Sequence, residues 1–474
     1  MISDFGASSV LVVGIVGALA LLVGARRPFT TLTVLVLLIP FRDFSTRWLN
    51  VHGDLSVADV TAIGRWWFAV IGTLLLIAGL RWMGRFRRER KAATPELADL
   101  LLGLVVVIAA AATLASPDRN AAFTSLRGYL QPMGVFLLAR SFTPGRTELR
   151  RLLYGWLGVG TVVAVFGLVQ ATGWTEADYR REGYLRQSGE LVVPYAGIAG
   201  NPYLRPASTV SGPNELGLDM VLLLSMAALW LASVRRSRST LALAFLAVLF
   251  TAGLGVSASR SALLAFVAAS VGMVILYWDA IVNRLRSREG RSRNRFLLAL
   301  AAVVALVAVL LGGSGLIALG IETVRSFAQQ YHYLDSVEAI RYLAAHPQGV
   351  GMGLVEPKGA LALIEAGGTY HVEGSLFQIA MEMGVWGLAA WLAFWGVALA
   401  RIYRNFQALN NVHLRVVTGA AFAGWLGSLV AFLFLPLMQS ISLMVWLWFL
   451  LGIGYKSKSI EAGWEMALPA AAES

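Results

Sequence analysis

The chain contains no cysteine in 474 residues. Disulfide bonds, thiolate metal ligands and cysteine nucleophiles are therefore excluded, and the redox state around its loops leaves no trace in its composition. Charge is scarce as well. Asp, Glu, Lys and Arg make up 14% of the residues against 57% hydrophobic, and the mean hydropathy is +0.68. A soluble chain of this length could not cover its surface with so little polar material. Five histidines are present, with neither a His-Glu-x-x-His nor a paired-Asp cluster at ligand spacing, so no metal is expected. Gly-x-Ser-x-Gly is missing too, which speaks against a serine hydrolase of that type. No segment is long and polar enough to make a separate soluble domain.

What is present is a succession of apolar runs. A helix needs about 17–25 apolar residues to cross a bilayer, and such runs fall near 8–24, 28–41, 60–80, 97–115, 122–140, 150–170, 213–234, 240–257, 261–278, 296–320, 375–400, 416–435 and 437–454. The first is followed by Arg26-Arg27 and lacks a basic leader and a small-residue cleavage site, so it reads as a retained span. The expected architecture is all-α: one polytopic integral membrane domain over residues 1–474 with twelve to fourteen spans, and an outer helical loop over a cavity.

Basic residues set the orientation. The chain carries a formal charge of +12, and about two thirds of its 39 Lys and Arg fall in alternate connections: 26–27, 81–91, 140–151, 235–238, 284–295, 401–415 and 456–458. The positive-inside rule makes those connections cytoplasmic, with membrane lipids as a partner for the charge. Nucleic acid is not an expected partner, because the basic residues are scattered over short loops. The longer connections, 42–59, 171–212 and 321–374, and the short turn at 257–261 then share the outer side. Fifteen Trp and 13 Tyr suit interfacial anchoring and sugar stacking.

The stretch 321–388 is the least membrane-like and holds His332, His346 and His371. Ile321, Val324, Phe327, Tyr331, Leu334, Val337 and Ile340 recur at helical spacing. His346-Pro347 should end that helix, and Gly349, Gly351 and Gly353 should form a turn or a close backbone approach. Pattern alone leaves a surface helix and a functional lid both open.

Two further outer segments carry chemistry. In AGIAGNPYLRPASTVSGPNELGLDM, Asn201-Pro202 and Gly212-Pro213-Asn214 are turn formers around Arg205. Glu215 and Asp219 then stand one helical turn apart at the start of a span, where carboxylates usually face a polar cavity. In VSASRSALLAF, Arg260 is flanked by Ser257, Ser259 and Ser261. Hydroxyls, helix-start N–H groups and a guanidinium make an anion site, and the planar fork of arginine suits phosphate. Arg205 and Arg260 are thus candidates for gripping a diphosphate, with headgroup snorkelling as the plainer alternative.

Taken in order, the Arg205 loop with GPNELG, the SASRSALLAF turn, and AHPQGVGMG followed by a G-x-x-G-L helix resemble the O-antigen ligase and O-antigen polymerase family over about residues 200–390. The resemblance implies an inverting, metal-independent glycosyltransferase of the GT-C type with no cofactor. Its donor would be a glycan on undecaprenyl diphosphate. The acceptor would be lipid A-core for a ligase or another lipid-linked glycan for a polymerase, with lipopolysaccharide or exopolysaccharide as product at the periplasmic face of the bacterial inner membrane. Arg205 and Arg260 would bind the diphosphate, with Asn214, Glu215, Asp219 and His346 as cavity-lining candidates.

The family motif often begins His-Asn nine residues before its Gly-x-x-Gly. Here Gly384 and Gly387, with Glu382 in register, put Glu373-Gly374 at that place. The base is then Glu373, or His371 two residues earlier; both residues could instead cap the helix that begins at Ser375. From a different class, a transporter or flippase could use Glu215, Asp219 and Arg260 along a substrate path, although no inverted repeat is visible.

Overall fold

The computed structural model describes residues 7–53, 60, 63–64, 66–89, 95–185, 191, 193, 195–198, 201–233, 238–278, 339–355, 372 and 374–470. The chain is all-α and polytopic. Helices α1 (Ala7–Arg26), α2 (Pro28–Leu38), α3 (Arg42–His52), α4 (Trp66–Glu89), α5 (Leu97–Ala115), α6 (Arg119–Ser141) and α7 (Arg146–Gly173) form the first half. A short helix α8 (Glu176–Arg181) and an antiparallel hairpin of β1 (Tyr195–Ile198) and β2 (Asn201–Leu204) follow. Then come α9 (Pro213–Ser233), α10 (Arg238–Ser257), α11 (Arg260–Leu276), α12 (Ser375–Ala408), α13 (Val412–Ala431) and α14 (Ile441–Ala470). Among the described residues, seven helices are long and apolar enough to cross a membrane, and three shorter apolar ones accompany them.

Most expected spans coincide with helices to within a few residues, and the differences have physical causes. The expected span 296–320 and most of the amphipathic segment 321–340 lie outside the described residues. The 42–59 connection is not simply a loop: α2 runs through a 3-10 turn, Ile39–Phe41, into α3. Arg42 holds this junction by donating from Nε to the Gly64 carbonyl, 2.9 Å, and pairing with Asp43. Asn201 and Pro202, expected in a turn, open β2, paired with Ile198 and Gly197.

Hydrogen bonds between elements divide the helix ends into two groups. At one end Arg81 donates to the Ala25 carbonyl, Arg140 pairs with Asp99, Gln407 reaches Leu276, Lys458 reaches Ala408 and Trp464 reaches Pro144. These are the basic-rich ends. At the other, Arg47 binds the Val210 and Ser211 carbonyls, Arg205 binds Ser257, Ser116 binds Met352 and Ser375 binds Leu435. Each bond joins two ends that the charge pattern assigns to the same side.

The core differs from the expected use of aromatic residues. Trp67, Trp156, Trp391, Trp395, Trp425, Trp446 and Trp448 are fully buried, and the last five, with Phe394, pack as tilted, stacked and edge-on rings or line the same core. Their role is packing between helices, where large rings fill space that lipid cannot. Trp48, Trp278 and Trp386 are exposed and fit an anchoring role. Elsewhere small residues bring backbones together: Gly427 lies against the Ala265 carbonyl and Gly452 against that of Phe136.

Candidate functional site

The site is built from three pieces of backbone at the less basic end. The first is the loop after β2, which carries Arg205. Its course depends on Ser208, which has a left-handed φ of 54° although it is not glycine. Three bonds hold that strained residue in place: its N–H donates to Gln170 Oε1 (2.7 Å), its Oγ donates to the Val163 carbonyl (2.6 Å), and its carbonyl accepts from Tyr184 OH (2.6 Å). Gln170 Nε2 in turn donates to Tyr184 OH, 2.9 Å. Tyr184 is fully buried beside Trp174 and Tyr179, with the Arg47 guanidinium 4.8 Å from its ring centre. Burial pushes its phenol up to about 12.

The second piece is the start of α9 and the third is the turn between α10 and α11. In that turn Ala258 has φ 47°, again a conformation that L residues rarely adopt. Ser259 caps α11, its Oγ accepting from Ala262 N at 3.3 Å. Asn214 joins all three pieces. Its Oδ1 accepts from Arg205 (2.7 Å) and from Ser259 Oγ (3.0 Å), while Arg205 Nε donates to the Ser257 carbonyl at 2.9 Å. Gly217, one turn into α9, allows the contact: a Cβ there would collide with Ala262 and Ser257.

Arg205 and Arg260 therefore belong to one junction. Arg205 is half-buried and oriented by its bonds; Arg260 is the first residue of α11 and is exposed. The hydrogen bonds from Arg205 to the Ser257 carbonyl and to Asn214 orient the guanidinium. Together with the first turn of α11, the two arginines can receive an anion; the serine hydroxyls shape the turn instead, their hydrogens donated to Leu254, Asn214 and each other. Asn214 is a keystone of the junction, a stronger role than the cavity lining expected of it.

The other expected residues are placed differently. Glu215 is half-buried at the start of α9, its carboxylate close to Gly212. Asp219 is fully buried, and neither of its carboxylate oxygens has a hydrogen-bond partner among the described residues. His346 is exposed, ends the helical residues 339–345 as expected, and stacks on Tyr342 with 4.4 Å between ring centres. Glu373 and His371 lie outside the described residues; their neighbours Val372 and Gly374 are buried.

The glycines after Pro347 do make a close approach. Gly349, Gly351 and Gly353 have φ of 78°, 103° and 77°. Gly349 presses on α12 beside Met381, and Gly353 lies against the backbone of Ala121 in α6, where a Cβ would overlap. Sequence reasoning missed what holds this turn. Glu382 served there only to fix a register, but its fully buried carboxylate accepts from Ser125 Oγ, Tyr129 OH and Gly353 N at 3.0, 2.8 and 2.9 Å. The available signal was an acidic residue inside an apolar span, which is costly unless it has partners.

Among the described residues no group of three or more His, Asp and Glu is placed to hold a metal ion. No protein-family model matches the chain, and no curated protein matches it.

Proposed function

We propose that this protein is a membrane glycosyltransferase that moves a glycan from a polyprenyl diphosphate, undecaprenyl diphosphate by the resemblance, to an acceptor hydroxyl. The observation that carries the reading is the junction in which Asn214 ties Arg205 to the serine turn before Arg260. In the reaction the acceptor oxygen forms a bond to the anomeric carbon from the face opposite the diphosphate. The bond to the diphosphate oxygen breaks, and its electron pair leaves with that group. Charge grows on the diphosphate as the bond breaks, so arginines oriented beforehand stabilise the transition state as well as the bound donor.

The acceptor must lose its proton as it attacks, and Glu373 is the proposed base, with His371 the alternative within the same motif. The positive-inside rule supports a site on the periplasmic side of a bacterial cytoplasmic membrane. Ligase and polymerase differ only in the acceptor, lipid A-core or a second lipid-linked glycan.

The test is transfer by the purified protein in vesicles with a lipid-diphosphate-linked glycan. Arg205→Ala and Arg260→Ala should each lower turnover by about 10²–10³-fold, the cost of removing one donor to a developing oxyanion. The lysine variants should recover part of it, since charge returns without the fork. Near-normal transfer and donor affinity in Arg260→Ala would leave snorkelling as the role of that residue.

One observation favours a transporter or flippase: Asp219, a carboxylate without a described partner inside a membrane helix. The same vesicles separate the two readings, since an enzyme forms a new glycosidic bond and a flippase only moves the labelled donor between leaflets. Asp219→Asn should retain transfer under the enzyme reading; movement without bond formation, abolished by that substitution, would replace it.

A further inference from the structure

Helix α12 is interrupted at Gly384, whose φ of 74° and ψ of 177° are not helical. A regular helix would bond Val385 N to the Met381 carbonyl, four residues back. Here Val385 N donates instead to the Pro347 carbonyl at 2.9 Å, and the Met381 carbonyl accepts instead from Val350 N at 2.7 Å. The glycine turn is thus inserted into the hydrogen-bond ladder of α12. Both backbone groups of that missing bond find partners in the turn, as non-helical backbone at membrane depth requires. Alanine at 349 or 384 would drive a Cβ into the opposite backbone.

Glu382 stands beside this insertion and closes it. Three donors among the described residues reach it from two directions: Ser125 and Tyr129 from α6, and Gly353 N from the turn. Ser116 Oγ adds a bond to the Met352 carbonyl, 2.9 Å. A buried carboxylate carries a desolvation cost of several kcal/mol, which an apolar residue would avoid. Only a carboxylate, with two acceptor oxygens and no donor, can serve all three donors at once; glutamine would turn an NH2 group towards one of them. The same half of α12 also packs on two residues of the outer connection. Val355 and Val372 belong to one cluster with Leu343, Ala380 and Met381.

We propose that Glu382 is a positioning residue: its carboxylate latches the inserted turn 347–353 between α6 and the kink of α12, and so holds two residues of the outer connection, Val355 and Val372, in the geometry that transfer needs. The latch follows from the geometry alone; its part in transfer rests on the function proposed above. The carboxylate does not touch substrate, being fully buried and occupied by its donors.

Because the chain has no cysteine, spin labels can be attached uniquely at Gln348→Cys and Phe123→Cys, both exposed, one on the turn and one on α6. The distance distribution between them should be narrow in the otherwise native protein, and broaden in Glu382→Gln and, less, in Tyr129→Phe. Turnover of Glu382→Gln should fall by about 10²-fold, the effect of a misplacement on the order of 1 Å. The donor KM should stay within about threefold, since the arginine junction lies on other elements. Tyr129→Phe carries the test should Glu382→Gln fail to fold. An unchanged distribution in both variants overturns the latch. A broadened distribution with unchanged turnover overturns the role in transfer, as does lost turnover with unchanged distances, which would mean direct action on substrate. If the native protein transfers no glycan, the proposed function fails and the role in transfer with it, while the distances still decide the latch.

Discussion

At the scale of single residues, the site turns on the side-chain carbonyl of Asn214. An amide oxygen receives Arg205 and Ser259 together and adds no negative charge of its own. A carboxylate in the same place would orient Arg205 equally well but set a negative charge beside it where an anion is to bind. Asn214→Asp, nearly isosteric, should therefore raise the donor KM by about tenfold or more, which corresponds to ~1.4 kcal/mol. Donor titration in the vesicle assay measures this, and an unchanged KM would mean that the charge of Arg205 is not used for binding. The value of Asn214 was only partly legible. GPNELG marked a turn, but that its side chain would join Arg205 to Ser259 depended on a residue 45 positions away in sequence.

At the scale of elements, the loop carrying Arg205 depends on the short α8 segment and the end of α7. Tyr184 bonds the carbonyl of strained Ser208 and receives Gln170, so Tyr184→Phe leaves a buried amide and a buried carbonyl short of a partner. The expected cost is about 1–3 kcal/mol, measurable as a lower unfolding temperature in detergent, with a higher donor KM as the loop relaxes. The pH dependence has a definite sign. Tyr184 holds its proton in the folded protein to about 12, whereas an unfolded tyrosine loses it near 10. The folded state thus binds more protons between those values, and this contribution to stability is intact below pH 10 and lost as pH rises through 12. Native protein should lose stability across that window more steeply than Tyr184→Phe; parallel curves would show that the phenol is not the group responsible. Helix α12 makes a related point. Its apolar run is plain in sequence, but the break at Gly384 is not, because the glycine turn that replaces the missing bond arrives from a distant segment.

At the scale of the whole molecule, the described contacts sort the helix ends into two sets that match the distribution of basic residues. The positive-inside rule then gives the absolute orientation. Single cysteines at Gln348 and Ser239, both exposed, should be labelled by impermeant reagents from opposite sides, the first from outside. Labelling of both from the same side would separate the glycine turn from the compartment assigned to it and would overturn the sidedness of the proposed site.

The sequence by itself determined the class, the approximate helix boundaries and the segregation of charge. These follow from short-range physics: an apolar run long enough to span, broken by Gly, Pro or a basic cluster, declares itself without reference to the rest of the chain. It also marked Arg205 and Arg260 as residues of interest, because an arginine at a turn in so apolar a chain is conspicuous. Only the tertiary structure decided how these pieces meet. That Asn214 would bind Arg205 and Ser259, that most of the tryptophans would fill the core, and that Glu382 would receive donors from α6 and the glycine turn all depend on which helix faces which. Helix packing in a membrane is set by small residues and polar partners far apart in the chain. A linear pattern records that such residues exist but not which of them will meet.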